Sequence, residues 1–200
     1  MAQLETNINK LRRKDPDLAD RLTPPPPEAG WELVHSPSGD LTAGRNLPEG
    51  FYLIHSSMDP RREAAEWLAC QDIPEKMIIL LGMGLGYPLR ELAENTDWNS
   101  ILVVEDASLF RLALAGDDFS DLIRPGIEFL IGPDPEPIEK RISRMAGPFS
   151  ICAFLPAFNA HREFFRRILD TCHMRLFELR ISAKDDFSET VKILLDEIRK

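Results

Sequence analysis

The sequence has few cysteines and no long apolar run, and both absences restrict the class of protein. Its three cysteines, Cys70, Cys152 and Cys172, are odd in number, far apart and surrounded by apolar residues. This usage predicts buried free thiols and favours the reducing cytoplasm over a disulfide-forming compartment. No apolar run approaches the roughly 18 residues of a membrane-spanning helix, and no apolar segment follows the basic residues of the amino terminus. We therefore expect neither a membrane span nor a secretory signal peptide.

Basic residues are also too few for a polyanion-binding protein. The chain has 24 Lys and Arg against 33 Asp and Glu, a formal net charge of −9. Such a charge repels phosphate backbones and anionic membrane surfaces. The densest basic segment, residues 161–180, interleaves its arginines with acidic residues and is typical of one solvated helix face. We expect no nucleic-acid partner and no membrane partner.

With 200 residues, of which 44% are apolar, the chain has the length of one domain with a small appendage. A thin leucine stripe, interrupted by Pro16, predicts one or two helices, and four consecutive prolines after it predict an extended spacer. The pattern thus gives four segments. They are a helical segment (residues 1–22), a proline-rich spacer (23–30), a hairpin with an α/β domain (31–182) and a last helix (183–200).

The α/β domain is predicted from short apolar runs that alternate with helix-period segments. The runs are FYLIHSS, MIILLGMG, ILVVED, IEFLIG and FSICAFLP, and their near-continuous apolarity is typical of strands buried on both faces. Asp59-Pro60 and Asp134-Pro135 place a capping carboxylate before a first-turn proline at two helix starts. The alternation predicts a Rossmann-like, mostly parallel, doubly wound sheet with a methyltransferase-like strand order. Turn residues around Gly39 predict a hairpin before it.

The last forty residues have a different pattern. Asn159 is a candidate cap for a long amphipathic helix, and a polar break at residues 182–186 predicts that this helix ends there. A second apolar stripe follows at Phe187, Val191, Leu194, Leu195 and Ile198, without any stop motif after it. We expect the natural protein to continue, and the stripe to pack against a following domain or a second copy.

The most informative motif lies between Met77 and Asp106. A buried strand runs into a G-x-G-x-G turn, a helix begins at Tyr87, and the next strand ends in Glu105. Such glycines allow a ligand to approach the helix amino terminus, and an acidic residue about twenty positions on can accept hydrogen bonds from ribose hydroxyls. His55 and Ser56 follow an earlier apolar run, at the kind of strand end where such sheets bind ligands.

The motif leaves three interpretations open. Tyr87 stands where a dinucleotide fingerprint needs its third glycine. The glycine spacing resembles that of S-adenosylmethionine-dependent methyltransferases, but Leu80 stands where that family has an acid for the methionine ammonium. The turn is thus a ligand-free structural turn, a nucleotide or nucleotide-sugar site, or an S-adenosylmethionine site. The candidate cofactor-binding residues are His55, Ser56, Gly82, Gly84, Gly86, Tyr87, Glu105 and Asp106.

No catalytic residue or metal ligand is assigned. There is no G-x-S-x-G elbow for a nucleophilic serine, and His161, Glu163, Cys172 and His173 do not have metal-ligand spacing. We interpret these four as surface or interface residues.

Several motifs together resemble a known family. The HS-x-x-DP element from His55, the G-x-G-x-GY element from Gly82, and the runs ILVVEDASLFRLAL and IEFLIG resemble the N-terminal region of the motility accessory factor (Maf) family of flagellin glycosyltransferases. The likeness extends from about residue 4 to 199. The order of elements also agrees, because a leading helix precedes the hairpin in that family.

The resemblance implies a Rossmann-like accessory domain of a glycosyltransferase. In this family a central domain, similar to sialyltransferases, follows the N-terminal region and transfers nonulosonic acids to Ser or Thr of flagellin. That central domain lies outside the sequence, so no catalytic residue is carried over. The implied partners are the following catalytic domain and flagellin. A small methyltransferase-like enzyme and an oligomerisation module remain the alternatives.

Overall fold

The structure is a computed structural model that describes residues 2–24, 30–47 and 50–198, with side chains described to residue 182 except that of residue 47. Helices α1 (Ala2–Lys14) and α2 (Pro16–Leu22) form the amino-terminal segment. The Asp15 carboxylate accepts a hydrogen bond from the Leu18 amide at 2.9 Å, which caps α2 just before its first-turn proline. The expectation of one or two helices is thus met by two. Most of the proline-rich spacer lies outside the described residues.

A three-stranded antiparallel sheet follows, with strands β1 (Glu32–His35), β2 (Leu41–Leu47) and β3 (Gly50–Leu53) in that order. The β1–β2 pair is the predicted hairpin, and its turn includes Gly39 at a φ of +90°. The run FYLI, predicted as a buried strand of the parallel sheet, is instead β3. It pairs antiparallel with β2, so that prediction was wrong.

The second sheet has four parallel strands in the order β6-β5-β4-β7. The strands are β4 (Met77–Leu81), β5 (Ser100–Glu105), β6 (Ile127–Ile131) and β7 (Ser150–Ala153). The chain builds outward from β4 through β5 to β6 and then returns to place β7 on the other side of β4. This is the order of the first four strands of a Rossmann fold, and it confirms the predicted α/β class.

Helices cover both faces of the parallel sheet. They are α3 (Pro60–Ala69), α4 (Tyr87–Asn95), α5 (Ala107–Gly116), α6 (Glu136–Ser143), α7 (Leu155–Ala160) and α8 (Arg162–Ile198). One core includes Leu80, Val103 and most of the buried apolar residues of α1 to α5. The other includes Leu81, Val104 and the buried residues of α6 and α8. Alternate residues of β4 and β5 therefore enter opposite cores, as a strand buried on both faces requires.

Three predicted helix boundaries are corrected by the structure. Asn159 lies inside α7 and does not cap α8, because His161 separates the two helices. Asp134 accepts from the Glu136 amide at 3.0 Å, but Pro135 is the residue that precedes α6. Helix α8 also continues through residues 182–186, where a break was predicted.

Among the cysteines, Cys152 and Cys172 are buried as predicted, whereas Cys70 is exposed at the end of α3. Burial of Cys172 therefore agrees with the expectation of buried thiols and corrects its separate interpretation as a surface or interface residue. Within the described ranges, no helix combines the length and the apolarity needed to cross a membrane.

Candidate functional site

The glycine-rich turn lies at the carboxyl end of β4, where the order of the parallel strands reverses. In open α/β sheets this is the crevice in which ligands bind. Gly82, Gly84 and Gly86 have φ angles of +78°, +57° and +99°, a region that residues with a Cβ rarely adopt. Gly86 precedes α4, so the predicted passage from strand through turn to helix is present.

The Glu105 side chain, at the end of β5, accepts hydrogen bonds from backbone amides of the turn. One carboxyl oxygen accepts from the amides of Met83 at 2.7 Å and Gly84 at 2.8 Å, and the other accepts from the Asp106 amide at 2.8 Å. The side chain is fully buried. Burial raises the pKa of Glu105 to about 8, although the three amide donors act in the opposite direction.

His55 also accepts a hydrogen bond from a backbone amide of the turn. Its Nε2 accepts from the Leu85 amide at 2.8 Å, so the ring carries its proton on Nδ1, which lies 3.5 Å from Oε2 of Glu63. The imidazole is stacked on Phe154 and meets the edge of Tyr87, each at a ring-centre distance of 5.0 Å. Burial lowers the pKa of His55, so the neutral ring that accepts from Leu85 is favoured.

Neighbouring side chains fill the space around the glycines. A Cβ on Gly84 would lie 2.7 Å from Ile54 Cγ2, and one on Gly82 would lie 2.9 Å from the Cβ of Ala157 in α7. A Cβ on Gly86 would lie 2.7 Å from the ring of Phe119. The close approach that these glycines permit is therefore used by the chain itself.

The other predicted site residues have local structural roles. The Tyr87 hydroxyl accepts from the Leu41 amide at 3.0 Å and donates to the Leu41 carbonyl at 2.9 Å, which attaches the hairpin to α4. Asp106 caps α5 through the Ser108 amide at 2.8 Å. The Ser56 hydroxyl accepts from the Met58 amide at 3.1 Å, in the loop before α3.

All eight predicted residues thus lie around the same edge of the sheet, but they bind each other and the backbone. Residues 50–146, the segment from β3 to just beyond α6, match the family model of the glycosyltransferase Maf N-terminal domain. This segment, just under half of the chain, is therefore identified as part of a Maf N-terminal domain. No curated protein matches the chain.

The Maf N-terminal domain also has a small cavity beside the turn, of about 300 Å³. Its charged lining groups are already paired, with Arg61 Nε 2.7 Å from Asp40 Oδ1 and Asp117 Oδ2 3.3 Å from Arg90 Nη2. Across the described ranges, no group of three or more His, Cys, Asp and Glu side chains could hold a metal ion.

Sequence reasoning missed the residues that fill the crevice. Phe154 was assigned to a strand, whereas it directly precedes α7, and Ala157, in the middle of α7, was assigned no role at the site. Glu63, which accepts from the Ser56 amide at 2.8 Å and faces His55, lies seven residues along the chain from Ser56. The spacing from Ser56 through the cap Asp59 to the first turn of α3 was the available indication of that contact.

Proposed function

We propose that this Maf N-terminal domain is a non-catalytic accessory domain of a glycosyltransferase that modifies flagellin in the cytoplasm. Its role is to support and position the catalytic domain that follows in the same polypeptide. The family description supports the association with a glycosyltransferase. The flagellin acceptor and the following domain rest on the motifs shared with the Maf family, and the cytoplasmic location rests on the cysteine usage of the sequence.

The observation that carries the non-catalytic role is the hydrogen bonding of the turn. Each amide from residue 82 to 86 already has an acceptor within the chain. Those of Met83, Gly84 and Leu85 donate to the Glu105 and His55 side chains. The remaining two, at Gly82 and Gly86, donate to backbone carbonyls at 2.9 and 3.0 Å. A phosphate at a Rossmann turn binds such amides, and this turn has none to offer.

Displacement of these internal acceptors by a ligand would be costly. Glu105 and His55 are both buried, and a buried polar group left without its partner costs about 1–3 kcal/mol. The crevice beside them is occupied by α7, which lies against Gly82. Ligand binding would thus require the loss of several internal contacts before any new one forms.

The same geometry disfavours the methyltransferase alternative. Glu105, the residue expected to hold ribose hydroxyls, already accepts three amide hydrogen bonds. Leu80 is completely buried in β4 and offers no oxygen to a methionine ammonium. An adenosyl ligand would therefore lack both of its expected acidic contacts.

Calorimetric titration of the 200-residue chain tests the proposal with two probes, S-adenosylmethionine and uridine diphosphate glucose. We expect no saturable heat with either at millimolar concentration. A dissociation constant near 1 μM, about −8 kcal/mol, for either probe would contradict the proposal. Cooperative thermal unfolding of the same sample confirms that a negative result comes from folded protein.

A second experiment addresses catalysis in the parent glycosyltransferase. Glu105→Gln should leave the kcat of sugar transfer to flagellin unchanged, because the residue acts on the turn and not on substrate. Mass spectrometry of flagellin measures the transfer, and thermal unfolding of the variant controls for its fold. A large loss of kcat in a stably folded variant would place this edge of the sheet in the catalytic machinery.

A further inference from the structure

A cluster outside the glycine-rich turn contains buried donors without acceptors. The chain has three tryptophans, and the indole N–H groups of two have carbonyl partners: Trp67 donates to Ala153 at 3.0 Å and Trp98 to Ala93 at 3.1 Å. Trp31 Nε1 is buried, yet no acceptor for it lies within the part of the chain that the structure describes. A buried N–H group without an acceptor is rare and costly.

Arg45 lies directly against this indole. Its guanidinium carbon is 4.4 Å from the centre of the Trp31 ring, and its Nη2 donates to the Ala160 carbonyl at 3.0 Å. Its Nε is buried without an acceptor, and no carboxylate of the described residues comes within 4.0 Å of the guanidinium. The cluster therefore has a partly buried positive charge as well as unmatched donors.

His161 completes the cluster. Its ring centre is 6.4 Å from that of Trp31, and its buried Nε2 lies 3.8 Å from Oδ1 of Asp106 without a hydrogen bond. That oxygen already accepts from the amides of Ser108 and Leu109 at the start of α5. The charge of Asp106 is thus engaged by the amino terminus of a helix and does not neutralise Arg45.

We propose that Trp31, Arg45 and His161 form a binding site for a small oxyanion, a carboxylate or a phosphate group. An oxyanion supplies what the cluster lacks, namely acceptor oxygens for the Trp31 and Arg45 donors and a counter-charge for the guanidinium. The side chains of His161 and Asp106 are 22% and 18% exposed, although the His161 Nε2 atom is itself buried. This site goes beyond the proposed accessory role, and it does not use the amides of the glycine-rich turn.

The test is a titration of the 200-residue chain followed by nitrogen-edited NMR of its three indole N–H groups, with inorganic phosphate and acetate as separate probes. The Trp31 resonance, assigned with Trp31→Phe, should shift saturably with at least one probe at millimolar concentration. Chloride at matched ionic strength should have no such effect. A response to phosphate alone identifies a phosphate site, a response to acetate alone a carboxylate site, and a response to both a general oxyanion site.

Two variants separate this site from a non-specific charge effect. Arg45→Lys keeps the charge but removes the Nε donor, and we expect it to weaken binding roughly tenfold or more, the effect of losing one charge-assisted hydrogen bond. The matched control is Arg124→Lys. Arg124 also stacks on a tryptophan, Trp98 at 5.2 Å, but the Trp98 indole has its acceptor. The control should bind as the unmodified chain does.

Two results would overturn the proposal. One is an unchanged Trp31 resonance with both anions, which would leave an ordered water as the missing acceptor. The other is an equal loss of binding in Arg45→Lys and Arg124→Lys, which would indicate a diffuse charge effect. Neither outcome depends on nucleotide or S-adenosylmethionine binding, so failure here is distinguishable from failure of the accessory role.

Discussion

Glu105 shows how one buried carboxyl group couples the turn to pH. Its pKa is raised to about 8 in the folded chain, mainly by burial, from an unperturbed value of 4.5. Between these two pH values the folded state holds a proton that the unfolded state has released. The free energy of unfolding must therefore decrease as pH rises through this window.

We accordingly expect the chain to lose stability from pH 5 to pH 8, by an amount on the order of a few kcal/mol. Glu105→Gln, which cannot titrate, should lose this decrease. Its stability should instead rise with pH up to about 6.5, because burial lowers the pKa of His55 in the folded chain. Urea denaturation at four pH values measures both curves. Glu94→Gln, in an exposed position on α4, is the matched control and should retain the slope of the unmodified chain. A slope retained in Glu105→Gln would show that another group titrates.

The second prediction for a single residue concerns Gly84. Its φ of +57° is strained for any residue with a Cβ, and that Cβ would also lie 2.7 Å from Ile54 Cγ2. Gly84→Val should lower the free energy of unfolding by a few kcal/mol, whether or not a ligand binds. Thermal and urea unfolding check this. Gly147→Ala is the control, because open space surrounds Gly147 and its φ is not positive, and it should change stability little.

At the scale of elements, the antiparallel sheet is held on the parallel one by a few specific contacts. The Tyr87 hydroxyl serves both backbone groups of Leu41, and the Tyr52 hydroxyl donates to the Pro156 carbonyl at 2.6 Å. The first contact joins β2 to α4, and the second joins β3 to α7. These elements come from distant parts of the sequence.

Tyr87→Phe should loosen the hairpin, because it removes the partner of both a donor and an acceptor. We expect a loss of about 1–3 kcal/mol of stability and faster hydrogen exchange at the Leu41 amide. Tyr52→Phe leaves a single carbonyl without its donor and should have the smaller effect. Equal effects of the two variants, or an unchanged Leu41 exchange rate, would contradict the role assigned to Tyr87.

The same elements show what local pattern can and cannot predict. Strands β4 and β5 and the cap of α3 at Asp59 follow from apolar runs and capping chemistry that act over a few residues. The run FYLI has the same local pattern, but its pairing with β2 depends on a strand that the pattern does not identify. Gly44 was an available indication, since its missing side chain leaves room for the Phe51 ring of β3.

Some contacts of the candidate site can likewise be predicted from the sequence, and others cannot. The spacing from the glycines to Glu105 correctly predicts that they meet at one edge of the sheet. It does not predict that Glu105 binds the turn amides instead of a ribose, because either acceptor satisfies the same carboxylate. The contact of His55 with the Leu85 amide spans 30 residues, and no periodicity encodes it. Trp31, Arg45 and His161 come from three separate segments and form no motif.

At the scale of the whole molecule, helix α8 is longer than the part of it that packs in the core. Its 37 residues extend about 55 Å at the rise of an α-helix. Phe165, Ile168 and Cys172 bury its first half against the sheet. Further along, Met174, Phe177 and Ile181 are exposed by 60%, 60% and 44%. The side chains of the second predicted stripe, at residues 187–198, lie outside the described ones.

We predict that this end of α8 associates with a second copy when the chain is studied alone, because a contiguous exposed apolar stripe is unusual on a monomer. Light scattering should give a dimer for the 200-residue chain. A chain that ends at Ala183 should be a monomer if residues 187–198 form the contact, and it should remain a dimer if residues 174–181 form it. The variant Phe177→Gln in the longer chain shows which of the two apolar surfaces, residues 174–181 or residues 187–198, forms the contact. If residues 187–198 form the contact, this variant remains a dimer, and if the exposed residues 174–181 form it, the variant dissociates. Monomers of equal stability for both lengths, with the last turns of α8 protected from exchange, would mean that the stripe packs internally and would contradict the prediction.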